Sequence, residues 1–208
     1  MSKYTPKKYV NWDKCFSNEK YLYINIPKNA STTLRNLLNT KRNTFIFDDN
    51  KIIFTVIRNP LERIVSSFFE CSKLRNDGPR EITIKSEWYK NFNSNIIKSF
   101  ELFVDFLSQK VDGEYYFYDA HTHPQYLYLD KKNIKLEDLD YVFLMENLDE
   151  LFEKLKLKKV KTKQNENKNK PLAEKIRKHI QSNETLKNKI NSLYKTDLKI
   201  YNKLKNKE

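Results

Sequence analysis

A glycine-free turn between an apolar run and a helix start places the strongest constraint on this chain of 208 residues. Residues 21–26 have the β-branched and aromatic composition of a buried strand, which breaks at Pro27. A hydroxyl cluster and leucines at helical spacing follow. Because the first N–H groups of a helix have no intrahelical partner, this pattern predicts an anion-binding turn, to which Lys28 adds charge. The alternative is an ordinary strand-to-helix turn with Ser or Thr capping.

A second stretch repeats this arrangement. Residues 51–57 form another buried-strand run, and Arg58 follows it directly. Pro60 suits the first turn of a helix, where its missing N–H costs nothing, and Ser66 lies about two turns into that helix. Ligands of open α/β sheets bind outside the carboxyl ends of the strands. The two loops therefore predict a ligand with phosphate-like groups at two places.

Further apolar patterns complete the predicted fold. Short strands are predicted at residues 44–47 and 141–145, and amphipathic helices at residues 96–109 and 184–204. Hydrophobic residues make up 38% of the chain, which is enough for one domain core and too little for two. We therefore predict an α/β fold with a mostly parallel central sheet of about four or five strands flanked by helices.

The boundaries of the predicted domain follow from polar segments. Residues 1–20 are assigned to an N-terminal extension, and residues 21–208 to one domain. The Lys- and Asn-rich residues 154–170 are predicted to be a solvated linker. Residues 71–95 contain the turn signal Gly78-Pro79 and isolated aromatics, Trp88 and Tyr89. They predict either a loop or broken helix over the site, or a surface excursion.

Charge is concentrated in the last part of the chain. Residues 151–208 contain 18 Lys or Arg and 6 Asp or Glu, a net +12 of the total +13. Such a region could attract nucleic acid or steer an acidic ligand, but it lacks a motif of interleaved basic and aromatic residues. We therefore predict solvated surface with some steering, and no specific nucleic-acid partner.

The compartment is predicted from what the sequence lacks. Cys15 and Cys71 have neither metal-ligand spacing nor the density of a disulfide scaffold, which indicates two free thiols in a reducing compartment. No apolar run has the length of a signal-peptide core or of a membrane span. The expectation is a soluble, cytoplasmic protein without a membrane span.

The two loops resemble the cofactor motifs of the sulfotransferases that use 3′-phosphoadenylyl sulfate (PAPS). Residues 27–33 correspond to the first motif and residues 58–66 to the second, with the closest likeness to the carbohydrate sulfotransferases of the uronosyl 2-O- and chondroitin types. Three weaker likenesses follow, at His121-x-x-Pro124-Gln125, at residues 142–150, and at Leu193-Tyr194 with Asp197 and Tyr201. The resemblance implies a single P-loop-like domain, with PAPS as donor and its product PAP as ligand.

The resemblance also implies the roles of individual residues. Arg58 and Ser66 would hold the 3′-phosphate, and Lys28 would act catalytically by stabilising the charge that develops on the bridging oxygen. The residues expected to face the 5′ end of the nucleotide are Lys28, Ser31, Thr32 and Thr33, and Asn29 and Ala30 of the same motif are also expected to bind the cofactor.

The general base is not in its usual place. Better-known family members have a histidine between the two motifs, and this chain has none there. The resemblance assigns His121 to the active cleft as base or substrate contact, with His123 and Gln125 also binding substrate. Imidazole titrates near neutral pH, which suits proton removal from a hydroxyl. The alternatives are a structural loop histidine and a His-x-His metal site, although no metal is expected.

The predicted activity is transfer of a sulfuryl group from PAPS to an acceptor hydroxyl, which the resemblance suggests is on a glycan. One rival is a P-loop kinase or nucleotide hydrolase, although the loop at residues 27–33 contains no glycine and lacks the Gly-x-x-x-x-Gly-Lys-Ser/Thr pattern. The other rival is a non-catalytic module that binds PAP or PAPS but has lost the base.

Overall fold

The computed structural model describes residues 14–44, 46–48, 50–74, 80–111, 113–157 and 169–206. Its strands are β1 (Lys14–Ser17), β2 (Tyr21–Ile24), β3 (Lys41–Thr44), β4 (Ile52–Ile57), β5 (Lys110–Val111), β6 (Glu114–Tyr115) and β7 (Tyr141–Leu144). Its helices are α1 (Ser31–Leu37), α2 (Pro60–Cys71), α3 (Arg80–Lys85), α4 (Glu87–Lys90), α5 (Ile96–Ser108), α6 (Leu127–Asp130), α7 (Leu148–Lys154), α8 (Lys170–Ser182), α9 (Glu184–Leu193) and α10 (Lys195–Lys205). Within the described segments, no helix combines the length and the apolar character needed to cross a membrane.

Some predictions fall on other parts of the chain. The turn at Gly78-Pro79, residues 1–13 of the predicted extension and residues 158–168 of the predicted linker lie outside the described residues.

The described residues group into two compact units. The sheet unit comprises residues 14–59, 124–157 and 196–206, and the helical unit comprises residues 60–123 and 169–195. Each unit therefore contains segments that are distant in sequence. The prediction of one domain over residues 21–208 stays a prediction.

The sheet unit is built on a mixed five-stranded sheet in the order β3-β1-β2-β4-β7. The strands β2, β4 and β7 are parallel, whereas β1 is antiparallel to both β2 and β3. The prediction of a mostly parallel sheet is therefore wrong for the half of the sheet that contains β1 and β3. The cause is a tight turn between β1 and β2, in which the Asn18 side chain accepts hydrogen bonds from the N–H groups of Lys20 and Tyr21.

Apolar side chains cover both faces of this sheet. On one face, Leu34 of α1 and Leu151 and Phe152 of α7 pack with the strand aromatics, where Tyr23 stacks on Phe54 at 5.1 Å between ring centroids. The other face packs against a smaller apolar cluster. Burial on both faces explains why β2 and β4 appear in the sequence as continuous apolar runs.

The helical unit has an aromatic core. Phe68 of α2 lies at its centre, with five rings at 5.2–5.7 Å between centroids: Phe69, Trp88, Phe92, Phe100 and Phe103. The helix predicted at residues 96–109 is confirmed as α5, and its apolar face is buried in this core. The interpretation of Trp88 as an isolated aromatic is wrong, because its side chain is 1% exposed.

Other boundaries differ by a few residues. The strand predicted at residues 44–47 ends at Thr44 and begins at Lys41, because pairing with β1 fixes its register. The helix predicted at residues 184–204 is two helices, which break at the buried Tyr194. The helix α8 carries Pro171 in its first turn, where the missing N–H of proline costs nothing.

Candidate active site

The two predicted anion loops meet at one edge of the sheet. Because β2 and β4 are parallel neighbours, the loops that leave their carboxyl ends emerge on the same side. The Nη1 atom of Arg58, in the second loop, donates a hydrogen bond of 3.1 Å to the carbonyl oxygen of Lys28, in the first. Both side chains are half-buried. The prediction that the loops lie at adjacent strand ends is confirmed.

The backbone of the first loop adopts an uncommon conformation. Lys28 and Ala30 have φ values of 72° and 59°, in the left-handed region that side chains with a Cβ atom rarely occupy. Such residues cost on the order of 1–3 kcal/mol each and persist where surrounding contacts enforce them. They recur in loops whose turned N–H groups form anion-binding concavities. The first loop therefore has the backbone character of a binding loop, although it contains no glycine.

Buried hydrogen bonds hold this loop in place. The Asn29 N–H donates to the carbonyl oxygen of Ile26 at 3.3 Å, and the Ser31 hydroxyl donates to the same oxygen at 3.0 Å. The Tyr23 hydroxyl donates to the Asn29 carbonyl at 3.1 Å. Burial raises the pKa of Tyr23 above its ordinary range, so this hydroxyl keeps its proton. The loop is fixed from both the strand side and the helix side.

The side-chain amide of Gln125 connects the two loops. Its Oε1 atom accepts hydrogen bonds from Asn29 Nδ2 at 2.6 Å and from the Arg58 N–H at 3.0 Å, while its Nε2 atom donates to the Arg58 carbonyl at 2.9 Å. Asn29 Nδ2 also donates to the carbonyl of Val56, at 2.7 Å. Gln125 is 1% exposed and Asn29 is fully buried. The predicted substrate-binding role of Gln125 stays a prediction, and the structure adds a role in positioning the loops.

A carboxylate from α10 fixes Gln125 in turn. The two carboxylate oxygens of Asp197 accept hydrogen bonds from the N–H groups of Gln125, at 2.7 Å, and Tyr126, at 3.0 Å. Asp197 is 1% exposed, so its carboxylate has lost its contact with water. The two hydrogen bonds compensate for that loss. The Asp197 carboxylate thus fixes the backbone of Gln125, whose side chain contacts both loops.

Glu146 supports the second loop from the end of β7. Its Oε1 atom accepts hydrogen bonds from the Asn59 N–H at 3.3 Å and from the Tyr201 hydroxyl at 3.2 Å. Glu146 itself is exposed. Its carboxylate therefore stabilises the chain directly after Arg58.

The hydroxyl residues of the two motifs lie in different units. Ser31 and Thr33 are half-buried and Thr32 is exposed, all in the first turn of α1 in the sheet unit. Because α1 has only seven residues, the case for anion binding rests on Lys28 and the second-loop arginine rather than on the helix end. Ser66 is half-buried on α2, in the helical unit. The binding roles of these residues stay predictions.

His121 lies in a turn of the helical unit. Its Nδ1 atom is 2.6 Å from Oδ1 of Asp119, and its backbone N–H donates to the same oxygen at 2.8 Å. The carbonyl of His121 lies 2.6 Å from the hydroxyl oxygen of Ser67, which is fully buried on α2. The imidazole keeps 15% of its surface exposed. It is therefore both anchored and accessible to solvent.

His123 has a different environment, although it is only two residues away. Its side chain is buried, and Arg63 Nη1 donates to its carbonyl oxygen at 2.8 Å. Burial lowers the pKa of His123 to about 4, and the positive charge of Arg63 contributes to this shift. His123 is therefore neutral at pH 7. A substrate-binding role for His123 stays a prediction, and its burial indicates a part in packing.

The His-x-His pattern at His121 and His123 leaves a metal site as one alternative. Among the residues that the structure describes, no group of three or more His, Cys, Asp or Glu side chains is arranged to hold a metal ion.

Three residues of this network are not among the predicted site residues. Asp119 precedes His121 by two positions, and a short Asp-x-His pattern in a polar loop is a signal that could have revealed the pair. Asp197 belongs to the weak likeness near the end of the chain, but the sequence predicts no role for it, and Ser67 carries no comparable signal. Each of the two contacts a residue more than 50 positions away.

Replacing Gln125 by alanine should destabilise the sheet unit. The change leaves one of the two hydrogens of the Asn29 amide, and the Arg58 N–H, without an acceptor, whereas the other amide hydrogen keeps the Val56 carbonyl. Each unsatisfied buried donor costs about 1–3 kcal/mol. We expect urea denaturation to show a loss of about 2–5 kcal/mol in the free energy of unfolding. The control is Gln181→Ala, at an exposed glutamine of α8. Equal stability of the two variants would contradict the role of Gln125.

Acid should destabilise the helical unit through His123. In the unfolded chain this side chain binds a proton below its ordinary pKa of 6.5, whereas the folded unit binds it only below about 4. The free energy of unfolding therefore falls as the pH is lowered between these values, by about 3 kcal/mol. The measurement is urea denaturation at pH 7 and pH 4. In His123→Gln, the decrease in the free energy of unfolding between pH 7 and pH 4 should be smaller by that amount, whereas His179→Gln should leave it unchanged. An unchanged decrease in His123→Gln would contradict the assignment of this effect to His123.

Comparison with known proteins assigns the chain to a family. The model of the sulfotransferase family matches residues 44–203, which include Arg58, Ser66, His121 and Gln125. Neither the curated proteins nor the solved structures give a match. The matched segment begins after the first loop, so Lys28 lies outside it, and its carbonyl oxygen contacts Arg58, which lies inside it. Because the match covers most of its length, the chain belongs to the sulfotransferase family, whose members transfer sulfuryl groups.

Proposed function

We propose that this sulfotransferase uses PAPS as its donor and a carbohydrate hydroxyl as its acceptor. The assignment of PAPS as the sulfuryl donor rests on one observation, the 3.1 Å hydrogen bond that Arg58 donates to the loop of Lys28. Two cations held at one sheet edge suit a ligand with negative charge at more than one place. The assignment of a carbohydrate acceptor is supported by the resemblance of both motifs to those of the carbohydrate sulfotransferases.

The residues at the sheet edge fit a nucleotide that carries a 3′-phosphate and a 5′-phosphosulfate. Arg58 presents a planar guanidinium, which binds phosphate oxygens in pairs, and its position is fixed by the bonds of its backbone to Gln125. Lys28 presents a compact charge on a loop whose backbone is already turned. We assign Arg58 with Ser66 to the 3′-phosphate, and Lys28 with Ser31, Thr32 and Thr33 to the 5′ end.

Lys28 has the main electrostatic part in the proposed mechanism. Bound PAPS supplies a sulfuryl group joined to phosphate through a bridging oxygen. As the acceptor oxygen forms its bond to sulfur and the bond from sulfur to the bridging oxygen breaks, Lys28 stabilises the negative charge on that oxygen. Fixed donors placed where charge develops are usually the largest catalytic contribution, as in phosphoryl transfer. His121 accepts the hydroxyl proton of the acceptor.

The sulfated partner is proposed to be a glycan or a related hydroxyl compound. The basic segment at residues 151–208, with its net charge of +12, would steer an acidic acceptor or the charged nucleotide by long-range attraction. We also propose that the protein is cytoplasmic and that it has no specific nucleic-acid partner.

Removal of the Arg58 side chain should weaken nucleotide binding. Hydrogen bonds between charged groups contribute about 1.5–3 kcal/mol, so Arg58→Ala should raise the dissociation constant for PAP about 10- to 100-fold. The measurement is calorimetric titration with PAP beside ATP and AMP. Arg35→Ala is the control, because Arg35 is an exposed arginine on α1 of the same unit. No binding, or no preference for PAP over ATP, would overturn the choice of donor and favour a kinase-like nucleotide site.

Removal of the Lys28 side chain should reduce turnover more than binding. Loss of one donor to a developing negative charge costs about 10²- to 10³-fold in kcat. We expect Lys28→Ala to show this loss in a PAPS-dependent transfer assay, with a much smaller change in PAP affinity. Lys20→Ala, at an exposed lysine that precedes β2, is the control. An unchanged turnover number would contradict this role, and PAP binding by the wild type without transfer to any acceptor would favour a non-catalytic binding module.

A further inference from the structure

The carboxylate of Asp119 makes two contacts with one residue, His121. Its Oδ1 atom lies 2.6 Å from Nδ1 of the imidazole and 2.8 Å from the backbone nitrogen. An ionised carboxylate only accepts hydrogen bonds, so Nδ1 must carry a proton to form this contact. In the neutral imidazole, the lone pair then belongs to Nε2. The contact thus selects one of the two tautomers of His121.

The turn that presents this pair is anchored at several points. Thr122 donates to the Asp119 carbonyl from its N–H, at 2.9 Å, and from its hydroxyl, at 2.8 Å. The Tyr194 hydroxyl donates to the Thr122 carbonyl at 2.8 Å, and the Ser67 hydroxyl lies 2.6 Å from the His121 carbonyl. The turn is therefore attached to α2 and to the residue that follows α9. With the main chain fixed on both sides, the imidazole has little freedom to turn away from the carboxylate.

The other two histidines provide an internal contrast. His123 is 7% exposed and is the more buried of the two histidines in this turn. His179 contacts Glu101 through Nε2, at 2.9 Å, so its proton is on Nε2, the opposite nitrogen from that of His121. His121 combines solvent access with an imidazole proton directed toward a buried carboxylate, which is 5% exposed. This is the arrangement in which an acid orients a general base.

We propose that Asp119 is a positioning residue that holds His121 in the Nδ1–H tautomer, so that Nε2 can accept the proton of the acceptor hydroxyl. This inference rests on the proposed function. In the balanced step, the acceptor oxygen forms its bond to sulfur, the bond between sulfur and the bridging oxygen breaks, and the hydroxyl proton moves to Nε2. The resulting imidazolium keeps its Nδ1–H bond to Asp119, whose negative charge stabilises it.

A purely structural role for Asp119 is the competing explanation, because its bond to the His121 N–H is also a turn-forming contact. A nitrogen-15 NMR experiment on protein labelled in its histidine rings separates the two roles. The chain has three histidines, so single His→Gln variants assign every ring signal. We expect His121 to carry its proton on Nδ1 near pH 8 and His179 to carry it on Nε2.

The test variant is Asp119→Asn, which keeps the size of the side chain and can keep the turn contact but removes the charge. We expect the Nδ1–H population of His121 to fall in this variant and to remain unchanged in Asp105→Asn, at an exposed aspartate of α5. His121 protonated on Nε2 in the wild type, or an Nδ1–H population that Asp119→Asn leaves unchanged, would overturn the proposal without any activity measurement.

A kinetic experiment provides the second test of the role of Asp119. With an acceptor that the wild type sulfates, Asp119→Asn should lower kcat at least tenfold and leave the KM for PAPS unchanged. The double variant with His121→Gln should be no slower than His121→Gln alone, because the two residues act as a unit. If the fold-losses in kcat of the two single variants multiply in the double variant, Asp119 has a structural role and the proposal is overturned. If the NMR result is as expected but the wild type sulfates no hydroxyl, then the proposed function fails, and the catalytic meaning of the pair fails with it.

Discussion

The buried amide of Gln125 is the contact on which the candidate site depends. It accepts hydrogen bonds from Asn29 and Arg58, each in a different loop, and donates back to the Arg58 carbonyl. Asp197 holds the backbone of Gln125 in turn. In a buried setting, a missing partner costs more than a single bond contributes, so these groups specify one arrangement rather than several. The backbone segments that carry the two cationic side chains are therefore fixed before any ligand arrives.

This preorganisation accounts for the unusual loop backbone. Left-handed conformations at Lys28 and Ala30 are unfavourable by themselves, and the surrounding network supplies the compensating contacts. Glycine would adopt the same backbone without strain but would leave a looser loop. A loop fixed in this way loses less conformational entropy when it binds an anion. The absence of glycine, which separates this chain from nucleotide-binding P-loops, is consistent with a site made rigid by its neighbours.

Much of the fold could be predicted because burial leaves a simple pattern. The strands predicted at residues 21–26, 51–57 and 141–145 are β2, β4 and β7, the apolar strands of the parallel half of the sheet. The edge strand β3 is polar, and the strand predicted at residues 44–47 begins three residues after β3 does. The sequence pattern does not predict β1. Short polar strands form because a neighbour offers hydrogen-bond partners, and no local pattern records that. The burial of Trp88 has no local signature for a related reason, because its ring packs against Phe68 of α2 and Phe103 of α5 rather than following a pattern within its own short helix.

The site was predictable only in part, for the same physical reason. Lys28 and Arg58 could be paired because parallel strands bring their carboxyl ends together. The contacts that hold them, through Gln125 and Asp197, join segments separated by 67 to 96 positions and leave no local pattern. The role of Asp119 depends on the distance between two side-chain atoms, which only a structure provides.

The interleaving of the two units has a consequence for how the protein is made. The loops that carry Lys28 and Arg58 are synthesised early, but Gln125 follows Arg58 by 67 positions and Asp197 follows Gln125 by a further 72. While a ribosome is still adding the intervening residues, the nascent chain holds two cationic loops, the first of them strained, without the partners that stabilise them. Domains generally fold as units during synthesis, and contacts of such long range form slowly. Substitutions in this network should therefore reduce the yield of folded protein in cells more than their effect on the finished molecule would suggest.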